Sequence, residues 1–130
     1  MLTNNLIAAW AGILLGLLSG IPMGLLFHKP DWLGGYDSWP RRLLRLGHVS
    51  FFGIAFLNLA FVVTVREANL NAASLQLPSL LLVLAQASMP TVCFLAAFRQ
   101  SFRQLFFIPV STAVGGTALF LFALVQGALR

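Results

Sequence analysis

The chain has two histidines, His28 and His48, and they are its best-placed candidates for chemistry. His28 closes the first apolar segment just before Lys29, and His48 lies three residues inside Arg45 in the second. Antiparallel helices joined by so short a loop are expected to set both imidazoles at similar depth, one or two turns below the headgroups. Two neutral imidazoles facing each other across a gap are the axial ligands of a b-type haem. Gly24, one turn before His28, and Gly47, beside His48, would let helix backbones approach a porphyrin face. Phe27, Phe51 and Phe52 would pack on the ring, and Arg41, Arg42 and Arg45 stand near for its propionates. The simpler reading of the same residues is a wet, interfacial His28 and a His48 bonded to a backbone carbonyl, Ser50 or Asn58. A bare metal centre fits less well, because no carboxylate lies in the apolar segments and Cys93 belongs to a different segment.

Other chemistry lacks its residues. Ser88 and Ser111 have no base to activate them, paired carboxylates are missing, and no glycine-rich phosphate loop follows a strand. Gly34 and Gly35 read more simply as a turn, and no enzymatic activity is expected. With Cys93 as its one cysteine the chain forms no internal disulfide, so that residue reads as a small buried hydrophobe. Ion-coupled transport would place ionisable or broken-helix sites near the midplane, where the polar residues are Asn58, Gln86 and a few hydroxyls.

The elements that must position these residues follow from composition. Of 130 residues, 59% are hydrophobic and 8% charged, which marks an integral membrane protein. Uncharged runs cover 6–27, 46–65, 77–98 and 105–129. About 20 residues at roughly 1.5 Å each cross a hydrocarbon core of about 30 Å. Helices are the open segments that satisfy their own backbone there. The prediction is a single all-α transmembrane domain over 1–130, a four-helix bundle with helices at about 5–28, 40–66, 77–99 and 104–129. The leader carries no positive charge and the first run is too long for a signal-peptide core, so it is expected to remain as a helix.

Lys29, Arg41, Arg42, Arg45, Arg99 and Arg103 fall on the first and third connections, while Arg66 and Arg130 fall on the other side. The positive-inside rule then sets both termini outside (N-out/C-out) in the plasma (inner) membrane. The net charge of +5 is accounted for by this topology and by anionic headgroups, so no nucleic-acid partner is expected. The loop KPDWLGGYDSW (29–39) carries Trp32, Tyr36 and Trp39, rings that favour the headgroup layer. Asp37 or Ser38 is expected to cap the second helix, with Pro40 tolerated in its first turn. Pro22, Pro90 and Pro109 predict kinks.

In the first segment Gly12, Gly16, Gly20 and Gly24 recur every fourth residue, a stride that extends back to Ala8 and forward to His28. Small-xxx-small rows let membrane helices approach closely. The fourth segment, with Gly115 and Gly116 each four residues beyond a hydroxyl, is the predicted partner within the chain. A second copy or a flat cofactor are the alternatives. Such rows favour oblique crossing, so the helices should diverge toward His28. The functional expectation is a non-catalytic accessory or interaction subunit of a larger membrane complex, of the electron-transfer kind, whose partners are the lipid bilayer and other membrane subunits. The alternatives are a haem b electron-transfer protein ligated by His28 and His48, and a homo-oligomer closed through glycine rows.

Overall fold

A computed structural model describes residues 1–128, whose regular structure is all helical, with no strand among them. Four helices form: α1 (Leu2–Leu26), α2 (Trp39–Glu67), α3 (Gln76–Phe98) and α4 (Phe107–Ala128). Short 3-10 turns at Trp32–Gly34, Ala72–Leu75 and Gln100–Phe106 connect them. All four spans are long and apolar enough to cross a membrane, the pattern of a multi-pass membrane protein. Arg130, whose charge entered the predicted topology, lies outside the described residues.

The helices start and stop where local chemistry dictates. Ser38 caps α2 by accepting from the Arg41 N–H at 3.4 Å, and Pro40 occupies the first turn, where its missing donor is unpaired anyway. Gly34 and Gly35 adopt φ of 85° and 96°, conformations that side chains disfavour, and so make the turn before α2. Pro22 and Pro90 lie inside helices, as expected. Pro109 falls in the first turn of α4 instead: a 3-10 stretch replaces the predicted beginning of the fourth helix, and α4 starts at Phe107. Proline in that first turn displaces no intrahelical bond, so the predicted kink has no cause there.

Helices α2 and α3 make the most extensive interface, α1 packs on both, and α4 packs chiefly on α3. At one end, Met1, Leu2, Leu70 and Phe120 close over Phe61, Val62 and Val65, so the N-terminus, the α2–α3 connection and the later turns of α4 lie together. At the other end Trp32, Trp39, Phe102 and Phe106 cover Leu43, Leu44, Ala96 and Ala97. There the Trp39 indole donates to the Ala96 carbonyl at 2.8 Å, satisfying an acceptor that the last turn of α3 leaves without a helical partner.

The expected pairing of the first and fourth helices is corrected. Helix α1 turns its glycines to α2 and α3, whose long side chains fill the groove, whereas Gly115 and Gly116 of α4 receive Leu81 and Leu82 of α3. Short connections keep consecutive helices adjacent, and α4 meets α3 first.

Candidate functional site

The glycine row of α1 is a socket for three side chains at successive turns. A Cβ on Gly12 would run into the Gln86 amide, one on Gly16 would lie 2.7 Å from Phe52 Cζ, and one on Gly20 would lie 3.1 Å from His48 Cε1. A Cβ on Gly24 would meet nothing within 4 Å, consistent with helices that part toward the end of the row.

His48 is tied into this socket. Its Nδ1 lies 2.9 Å from Ser19 Oγ, and the same hydroxyl donates to the Gly16 carbonyl at 2.8 Å. A serine has one proton, so with that proton on Gly16 the imidazole Nδ1–H is the donor and Nε2 is the free acceptor. The ring stands edge-on to Phe52, with centroids 5.4 Å apart. His48 thus bonds to Ser19, a partner outside the expected set.

His28 lies beyond the end of α1 and is exposed. His48 packs against α1 at Gly20, eight residues before His28 in the chain, a separation of roughly 12 Å along a helix axis. Gly47, expected beside a cofactor, faces Cys93 and Phe94: a Cβ on it would lie 3.1 Å from Cys93 Cβ and 3.3 Å from the Phe94 ring. Cys93 is free and buried. Among the described residues no group of three or more His, Cys, Asp or Glu could hold a metal ion.

Two polar constellations escaped the sequence reading. Asn5, Asn58 and Ser79 join α1, α2 and α3 near the end that holds the N-terminus. Asn5 Nδ2 donates to Asn58 Oδ1 at 2.8 Å and to the Ser79 carbonyl at 3.2 Å, and the Ser79 hydroxyl donates to Asn5 Oδ1. Asn58 Nδ2 donates to the carbonyls of Ile54 at 3.0 Å and Leu82 at 3.1 Å. Asn58 was visible as a polar residue in an apolar run, whereas Asn5 read as part of the leader.

The second constellation surrounds Arg41, which is 2% exposed. Its guanidinium donates to the carbonyls of Phe27 at 3.0 Å and Pro30 at 3.1 Å, at the C-terminal end of α1 where the helix dipole is negative. The rings of Phe27, Trp32 and Tyr36 lie 5.0, 5.6 and 5.9 Å from its Cζ, within cation–π range. Arg45 stacks on Tyr36 at 4.2 Å and donates to that residue's carbonyl at 3.3 Å. Arg41 is thus the pin of the α1–α2 loop, and Arg42 is the exposed member of the trio.

No family model matches this chain, and comparison with curated proteins and with solved structures likewise yields no match.

Proposed function

We propose that the protein is a non-catalytic accessory subunit of a larger assembly in the plasma (inner) membrane, docking through the outward face of α2. One observation carries this reading: Gly53, in the middle of α2, is exposed, and a Cβ there would meet nothing within 4 Å. Gly24, in the last turn of α1, is also open, whereas the helical glycines Gly12, Gly16, Gly20, Gly47, Gly115, Gly116 and Gly127 have a neighbour against them. Glycine costs a helix about 1 kcal/mol relative to alanine, and in membranes small residues gather where another helix touches. Ala60, two turns beyond Gly53, is also exposed, which continues a low surface along that face. The interior polar groups support a structural role, since Asn5, Asn58 and Ser79 bond to one another and His48 bonds to Ser19. Haem ligation by His28 and His48 is the weaker reading, because His48 is already bonded to Ser19 and packed on Gly20.

Native mass measurement after extraction in mild detergent tests the proposal. The expected result is an assembly containing other chains, lost in Gly53→Leu and retained in Val49→Leu. A monomer in both cases overturns it. A mass that is a multiple of this chain alone replaces it with the homo-oligomer.

A further inference from the structure

Gln86, in the middle of α3, is 6% exposed. Its Nε2 donates to the Phe51 carbonyl at 3.2 Å, which orients the amide, since the reverse placement would oppose two acceptors. Oε1 is left with no donor. A buried amide oxygen without a partner is unfavourable, and lipid tails supply no donor. The backbone of the same residue adds a second acceptor. Pro90 stands four positions on and has no N–H, so the Gln86 carbonyl lacks its helical donor.

Beside these acceptors lies a cavity of about 360 Å³ between α1 and α3, with Ala8, Gly12, Phe51, Gln86 and Ala87 in its wall. The wall is hydrocarbon apart from Gln86 and Thr91, and the Thr91 hydroxyl is already donated to the Ala87 carbonyl at 2.6 Å. The site therefore offers two acceptors, the second N–H of the Gln86 amide and no charge. Its volume falls within the range of small-molecule sites.

We propose that this cavity binds a membrane-soluble molecule with an apolar body and one hydroxyl, of the phenol or hydrophobic-alcohol class. The hydroxyl donates to Gln86. Ala11 and Ala87, small and exposed, flank an entrance from the lipid side. Oε1 is covered by its neighbours, but a single bond holds the amide and its 3.2 Å length is at the long end of the range. A slight turn of the amide presents the oxygen to an incoming hydroxyl.

The test uses the full chain in mild detergent, titrated with 4-butylphenol and, separately, with its methyl ether, while the melting temperature is followed. The two probes partition into micelles similarly but only the phenol can donate. The phenol is expected to raise the melting temperature saturably, with a midpoint about fivefold lower than that of the ether, the worth of one net hydrogen bond. Gln86→Leu should erase that preference, and Ala87→Phe, which fills the entrance, should erase saturable binding of both. Equal response to phenol and ether in the unmodified chain overturns the proposal, as does a phenol preference that survives Gln86→Leu. Should Gln86→Leu fail to fold, Ala87→Phe decides: a saturable phenol response retained there overturns the site.

Discussion

Arg41 shows how one residue can answer to two demands. By count it belongs to the basic cluster that orients a membrane protein, yet its side chain is buried among the carbonyls of Phe27 and Pro30 and three aromatic rings. Charge-assisted hydrogen bonds contribute about 1.5–3 kcal/mol each, so Arg41→Leu should cost roughly 3 kcal/mol in unfolding from mixed micelles. Arg41→Lys should lose about half of that, because an ammonium keeps the charge but not the planar fork. Arg42→Ala, on the exposed side of the same turn, should stay within about 0.5 kcal/mol. Equal losses at Arg41 and Arg42 would show that the cluster matters only as charge. The sequence made the arginines and the rings visible but not their encounter, since nothing in linear spacing reveals which of several basic residues turns inward.

At the scale of elements, α1 works as a row of sockets of unequal depth. Phe52 already presses on Gly16 and His48 on Gly20, while Gly24 faces open space. Leucine at Gly16 or Gly20 should therefore separate α1 from α2 and lower the melting temperature far more than Leu17→Ile, a change on the exposed side. Gly24→Ala should be neutral or stabilising by up to about 1 kcal/mol, the difference in helix propensity. A melting curve that Gly16→Leu leaves unmoved would mean that the Phe52 contact contributes nothing. Spacing alone predicts close approach over two or three glycines and divergence toward His28, but not what fills each position. Their inequality arises from side chains contributed by α2 and α3, which the periodicity of α1 does not encode.

For the whole molecule, the chain runs up and down so that its N-terminus, its α2–α3 connection and the last turns of α4 share one end. The basic loop and the Gln100–Phe106 turn share the other. Lys29, Arg41, Arg42, Arg45, Arg99 and Arg103 then belong to one end of the bundle, and Arg66 to the opposite end. We propose, on the positive-inside rule, that the first end faces the cytoplasm. An alkaline phosphatase fusion after the last residue should be active and a green fluorescent protein fusion dark. The reverse result would invert the molecule and move the Arg41 loop to the outer surface.

Composition and run length were sufficient for the class and the number of helices, because the energetic demand that each backbone group in lipid be satisfied within its own helix is local. The Ser38 cap and the glycine turn before α2 were legible for the same reason, being decided within a few residues. Which helix fills the glycine row was decided by tertiary packing, where Gln86, Phe52 and His48 arrive from elsewhere in the chain. So were the bond between His48 and Ser19 and the meeting of Asn5 with Asn58 and Ser79, residues more than fifty positions from Asn5 in sequence. Side-chain hydrogen bonds and van der Waals contacts act over a few ångströms in space, and only the folded arrangement of helices brings those ångströms about.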